Sequence, residues 1–216
     1  MLRPAHLAAG MAAATAAGVA IGSYLPVGRA QRPDDETRDA ARPPAPARGL
    51  TVYEHVEDIA SEMARPELVI DATRAEIEER FQFKSRLASG GTGSVWRAVD
   101  RQTGRTVAIK VIDKRKLGRS MFNMEVYAMQ RGAGHPNIVQ LRGAYDVASD
   151  ELSPDGEWHL VMELAAGGEL FARVAQHGAY SEKVAAGLIR QVARAVYHLH
   201  SCGVCHRDIK PENVVL

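Results

Sequence analysis

An α+β fold is predicted by three features of the sequence. Strand-like stretches begin at Phe81 and flank a glycine-rich turn. A helical pattern over residues 119–131 interrupts them, and a long apolar helix stripe follows between residues 181 and 200. The 216 residues suffice for one or two domains, and 46% hydrophobic with 25% charged residues is the make-up of a folded domain. The formal net charge of +1 creates no global field that points to nucleic acid or a membrane surface. Cys202 and Cys205 are too few and too close for a disulfide framework, so a reducing compartment is the simplest reading for the globular part.

Residues 1–30 differ from the rest. The stretch 7–27 is rich in Ala and Gly, carries no charge, and at about 20 residues is long enough to span a bilayer as a helix. Gly10, Ala14, Gly18 and Gly22 share one helix face, the small-residue face used by packed membrane helices. Arg3, Arg29 and Arg32, with no acid before Asp34, fit a transit peptide equally well, and Gly28 with Ala30 fits a signal-peptide cleavage site. Two localisations follow with equal weight: membrane-anchored facing the cytoplasm, or organelle-targeted by a cleaved peptide. An unstructured tail carries less weight. Residues 31–80 read as a linker with short helices. Pro33, Pro43, Pro44 and Pro46 sit among mixed charges, Val52 to Met63 follows helical spacing up to Pro66, and Asp71 is placed to cap a second helix ending at Arg80.

From Phe81 the residues carry chemistry. The turn from Leu87 to Val95 contains Gly90, Gly91 and Gly93; glycine lets backbone amides approach phosphate oxygens closely. Lys110 ends the apolar run Val107-Ala108-Ile109 and, if buried, needs a counter-charge. The 119–131 helix, whose inner side is read as Met121, Met124, Ala128 and Met129, carries one acidic residue, Glu125, which taken alone reads as a solvated helix glutamate. Ser153-Pro154-Asp155-Gly156 marks a lengthened hairpin loop before a buried strand over residues 158–164. Val184, Leu188, Ile189, Val192, Val196 and Leu199 form the later helix stripe, with Ser181 as its N-cap. The helix leads into Cys202-Gly203-Val204-Cys205-His206. That run also spells a haem-attachment pattern, and His198 with His200 raises zinc; two small cysteines in a reduced core is the stronger reading. Asp208, Lys210 and Asn213 then offer a proton acceptor, a cation for a phosphate and an amide oxygen for a hard metal, a set suited to phosphoryl transfer.

Together these motifs resemble the eukaryotic-type protein kinases of the Ser/Thr class. Gly90, Gly93 and Val95 match G-x-G-x-x-G-x-V, with Ala88 in place of the first glycine and Thr92 where an aromatic residue is common. Val107 to Lys110 matches V-A-I-K, and His206 to Asn213 matches H-R-D-x-K-P-x-N. The resemblance implies a two-lobe fold over residues 81–216, with a complete N-lobe (an antiparallel sheet plus one regulatory helix) and only the start of the helical C-lobe. It implies ATP and Mg²⁺ as cofactors and a protein substrate with a Ser/Thr acceptor.

Residue by residue, it puts Leu87, Ala88, Val95 and Ala108 over the nucleotide. Gly90, Gly93 and Lys110 would lie on its phosphates, with Glu125 pairing Lys110. Met162 would sit behind adenine and Val215 beneath it, with Glu163 to Ala165 offering backbone groups and Glu169 reaching the ribose or a basic peptide residue. Asp208 would orient the substrate hydroxyl, Lys210 stabilise the transferring group and Asn213 bind the metal. Glu169 and Glu212 hint at basic residues upstream of the target, as in calcium/calmodulin-type kinases. The family's D-F-G segment lies beyond Val215, so a kinase represented by an incomplete chain is expected. The alternative is a catalytically inactive, truncated kinase-like module that binds nucleotide or a partner.

Overall fold

The computed structural model describes residues 6–7 and 69–216. The anchor or targeting segment (apart from His6 and Leu7) and the linker up to residue 68 lie outside the described residues. Among the described residues, no helix is long and apolar enough to cross a membrane.

Strand β1 (His6–Leu7) pairs antiparallel with β8 (Val214–Val215). The main sheet has six strands: β2 (Val69–Ala72), β3 (Phe81–Ser89), β4 (Gly93–Asp100), β5 (Thr106–Asp113), β6 (Leu141–Val147) and β7 (Glu157–Glu163), in the order β2-β6-β7-β5-β4-β3. Every pairing is antiparallel except β2 with β6, which is parallel. The sheet is therefore mixed, and it recruits residues that the sequence places in the linker. Val69 packs on one face of the sheet and Ala72 on the other, so the short strand extends both apolar layers at the edge.

Helix α1 (Arg74–Arg80) follows β2. Its cap is Thr73, not Asp71. The Thr73 hydroxyl accepts from the Glu76 N–H at 3.3 Å, and the Glu76 carboxylate accepts from the Thr73 N–H at 2.7 Å. This reciprocal capping box satisfies two otherwise unpaired amides, while Asp71 is taken up in β2. Ile77, the one buried residue of α1, joins Phe81, Ala98, Ile109, Tyr145 and Val161 on the outer face of the sheet.

The inner face packs on α2 (Arg119–Arg131). Phe122, Val126 and Met129 enter the core with Val95, Ile112, Leu160 and Met162. Helical spacing brings Phe122, Val126 and Met129 to one stripe. Met121 and Met124, expected on the inner side, are only half-buried. A further core joins Ala128 and Ile138 to α4 (Glu182–Ser201) through Leu188, Ala195 and Leu199, closed by Val214 and Leu216. The Ser181 hydroxyl caps α4 at the Val184 N–H. Ile189, assigned to the apolar stripe, is 67% exposed. A short helix α3 (Leu170–His177), not anticipated from the sequence, starts at Glu169.

Candidate nucleotide-binding and catalytic site

Lys110 lies on β5, flanked by β4 and β7, so its side chain leaves the middle of the sheet on the inner face. It is 1% exposed, and its Nζ meets Glu125 Oε1 at 2.8 Å. A buried ammonium is tolerated only where a partner and hydrogen bonds replace its water. Here α2 delivers that partner across fifteen residues of sequence.

The glycine-rich turn joins β3 to β4. Gly90 N–H donates to Gly93 O at 2.8 Å, and Thr92 O accepts from Asp113 N–H at 3.4 Å, so the turn folds down onto the end of β5. Gly93 is required by this approach: a Cβ there would lie 1.9 Å from the Val111 carbonyl oxygen. Ala88 takes the place of a glycine without strain, because it sits in β3 opposite Val95 rather than in the turn. Thr92 is 7% exposed, and its hydroxyl has no hydrogen-bond partner.

Beside the turn is a cavity of about 310 Å³. Leu87, Ala88, Val95 and Ala108 line it from the sheet, Met162, Glu163 and Ala165 from β7 and the segment after it, and Glu169 and Val215 from the other side. Nine of the residues read as nucleotide contacts thus converge on one space. Gly90, Gly93, Lys110 and Glu125 do not line it; they belong to the adjoining turn and ion pair. Arg97, Val139, Leu164, Ala166 and Gly168 also line the cavity and were not anticipated. Arg97 was legible in principle, since it lies two residues beyond Val95 and so on the same strand face. The Glu163 side chain is turned away: Oε1 accepts from the Gln140 N–H at 3.0 Å and Oε2 meets Arg142 at 3.5 Å. Its N–H is also spent, on Gln140 O at 3.0 Å.

Gly167 and Gly168 tie this wall to the end of the segment after α4. Gly167 N–H donates to Leu216 O at 2.5 Å and Leu216 N–H to Gly168 O at 2.9 Å; a Cβ on Gly167 would meet the Leu216 carbonyl oxygen at the same 2.5 Å. Glu169 forms an isolated bridge with Val215 and leads into α3. Burial, then the charge of Glu212, raises its carboxyl above the usual value.

The segment after α4 turns through Arg207 at φ 61°, a left-handed conformation unusual for a residue with a side chain. His206 is buried, and its Nδ1 accepts from the Asp208 N–H at 3.3 Å. A single turn of 3₁₀ helix, Pro211–Asn213, then folds Asn213 back to 2% exposure. The Asn213 amide donates to Asp208 O at 2.8 Å and to Asp208 Oδ2 at 2.9 Å, while Lys210 Nζ lies 2.9 Å from the same Oδ2. The three residues read as catalytic or metal-binding thus form one cluster. Burial pushes the Asp208 carboxyl up. Hydrogen bonds from Lys210 and Asn213, with the charge of Lys210, outweigh it and hold the group below the usual carboxylate value. Asp208 is a carboxylate, and the amide oxygen of Asn213 is the atom that side chain has left to offer.

Cys202 and Cys205 are free thiols, with Cys202 Sγ 3.6 Å from His198 Nε2. Among the described residues no group of three His, Cys, Asp or Glu side chains is placed to hold a metal ion.

A family model described as protein kinase domain matches residues 81–216. Calcium-dependent protein kinase 27 of Oryza sativa subsp. japonica is 39% identical over 163 residues, 74% of this chain and 26% of that protein. Calcium-dependent protein kinase 29 of Arabidopsis thaliana is 40% identical over 152 residues, 68% of this chain and 27% of that protein. Myosin light chain kinase A of Dictyostelium discoideum is 39% identical over 144 residues, 65% of this chain and 46% of that protein. The chain thus spans between 26% and 46% of the length of these relatives. Among solved structures, the crystal structure of Rad53 1-466 in complex with AMP-PNP aligns with a TM-score of 0.50 at 33% identity, covering 63% of this chain and 34% of that one.

Proposed function

The chain belongs to the protein kinase family, and from that premise we propose that it forms the ATP-binding and catalytic-loop part of a protein serine/threonine kinase. The observation that carries the reading is the buried Lys110–Glu125 pair, which places a fixed cation beside an apolar cavity and a glycine turn. A purine ring suits walls made of Leu87, Val95, Ala108, Met162 and Val215. Lys110 and the amides of the turn then face the phosphates. The similar Rad53 structure was solved with AMP-PNP, an ATP analogue, which supports the same ligand class here.

Asp208 is suited to receive a substrate hydroxyl, because Lys210 and Asn213 orient its carboxylate and keep it ionised. Lys210, paired with the same carboxylate, is suited to offset the charge of the transferring group. Asn213 fits a magnesium site by its donor chemistry: both N–H contacts go to Asp208, which leaves a carbonyl oxygen, the atom a hard cation takes. Magnesium, when bound, neutralises charge on the phosphates. Lys210 followed by Pro211 supports Ser/Thr rather than Tyr as acceptor, and the kinase relatives fit that class. The charge of Glu212 acts against that of Glu169, and a basic residue of the peptide relieves that repulsion. A preference for basic residues upstream of the acceptor follows.

The test is equilibrium ATP binding by the chain, together with γ-phosphate transfer to basic peptides by the protein that carries it. Lys110→Met is expected to weaken ATP binding, whereas Asp208→Asn keeps ATP binding and loses transfer. Equal loss of ATP affinity in both variants contradicts the assigned roles. Saturable ATP binding by the wild type without transfer to any hydroxyl substrate would support a binding module instead.

A further inference from the structure

By its own sequence α2 has a weak start. Its N-cap is Gly118, which makes no side-chain hydrogen bond, its first turn holds no acid, and it opens on Arg119. An uncapped first turn leaves amides without partners, and a cation at this end opposes the helix dipole. Yet this is the helix that must carry Glu125 to Lys110.

The compensation comes from the sheet. Asp146 on β6 is 9% exposed and bridges two cations: Lys114 Nζ lies 2.5 Å from its Oδ1, and Arg119 binds its Oδ2. Lys114 Nζ also donates to Val147 O at 2.9 Å. Both cations lie over the indole of Trp158, at 4.6 Å and 5.0 Å from the ring, and Trp158 is the cross-strand partner of Asp146. The Trp158 Nε1–H donates to Leu117 O at 2.8 Å, just ahead of the helix, and the ring stacks on Phe122 at 4.6 Å and 14°. The far end of α2 is held separately, through Arg131 on Cys202 O at 3.2 Å. Loosening the first turn therefore leaves the C-terminal end as a pivot, with Glu125 on the side that moves.

We propose that Asp146 is a positioning residue for the Lys110–Glu125 pair: by holding Arg119 and Lys114 against Trp158 it fixes the start of α2 and keeps Glu125 on Lys110. Its consequence for catalysis rests on the reading that Lys110 handles nucleotide phosphates; the clamp itself does not.

The experiment compares wild type, Asp146→Asn, Asp146→Glu and Arg119→Gln in the 216-residue chain. Two measurements need no activity: the rate at which a small amine-selective acylating reagent modifies Lys110, and amide hydrogen exchange along α2. Asp146→Asn is expected to speed Lys110 modification, and exchange over residues 119–125, by about tenfold, the scale of a broken coupled contact. Exchange in β3 to β5 should hold at wild-type rates, and Asp146→Glu should restore part of the protection. Unchanged Lys110 modification and unchanged 119–125 exchange in folded Asp146→Asn would overturn the proposal, as would a uniform rise across the sheet, which marks general destabilisation. Should Asp146→Asn fail to fold, Arg119→Gln is read by the same two rates, with the same outcomes for and against. A wild type that binds no ATP but shows the local effect refutes the nucleotide reading and leaves the clamp standing. A wild type that binds ATP with no local effect does the reverse.

Discussion

Glu169 shows how one residue's environment sets a pH range. Its carboxyl is raised first by burial and then by Glu212, so it takes up a proton at a higher pH than an ordinary glutamate. Above its raised value it is charged, and in the proposed peptide-binding role that charge attracts a basic peptide; as pH falls through that value the attraction goes. The KM for a basic peptide is therefore expected to rise on mild acidification. Glu169→Gln should show a KM that is high throughout and nearly flat over the same range, as read from peptide titrations at fixed ATP. The stability effect has the opposite sense. Between the ordinary and the raised value the native state binds the extra proton, so raising pH through that window lowers stability. Asp208 lies on the other side of its ordinary value, so protonation of Asp208 does not set the acid limb above that range. At Gly93 the constraint is steric, because the turn passes too close to Val111 O for any side chain.

At the scale of elements, two helices of the sheet region are stabilised in different ways. The seven-residue α1 is too short to stand alone and relies on the Thr73 capping box and the burial of Ile77. Thr73→Ala removes one half of that box and is expected to cost about 1 kcal/mol. The measurement is the denaturant midpoint, with the slope of the transition unchanged. The longer α2 has no such cap and depends on Asp146 and Trp158 from neighbouring strands. Helix α1 is thus largely specified by adjacent residues, whereas α2 is completed only once β6 and β7 are in place.

At the scale of the molecule, α2 is shared between two cores. Phe122, Val126 and Met129 belong to the sheet core, while Ala128 packs with Leu188, Ala195 and Leu199 of the α4 core. Polar contacts cross the same junction, with the Asn137 amide donating to Gln191 at 3.0 Å and Arg131 donating to Cys202 O. Gly132 stands close enough to Leu199 that a Cβ would meet its Cδ2 at 2.7 Å. Leu199→Ala, at a site 1% exposed, is expected to cost about 2–5 kcal/mol. Because the Asp208–Lys210–Asn213 cluster follows α4 while the Lys110–Glu125 pair is anchored on α2, the loss should appear in a single thermal transition followed at both places. Two separated transitions would show that the cores unfold independently.

Much of the site is legible in the sequence because its chemistry is packed into short runs. The glycines at 90 and 93, the apolar run leading to Lys110 and the run from His206 to Asn213 each carry their reason for being there within a few residues. A buried Lys110 calls for a counter-charge, and the resemblance to kinases is what selects Glu125 as that partner. What the local pattern does not contain is long-range adjacency. Val69-Ile70-Asp71-Ala72 reads as linker, yet it becomes a strand by pairing parallel with Ala144 to Val147. Met121 and Met124 read as inner-side residues with Ala128 and Met129, yet only the latter two are buried, joined by Phe122 and Val126, where Trp158 receives Phe122. Nothing near Asp146 marks it as the partner of Arg119, twenty-seven residues earlier. By itself the sequence determined which functional groups this protein carries, because a carboxylate, an ammonium or an amide is fixed by the residue that bears it. Only the tertiary structure decided what holds them in register, because burial, cross-strand pairing and charge compensation exist only between segments far apart in the chain.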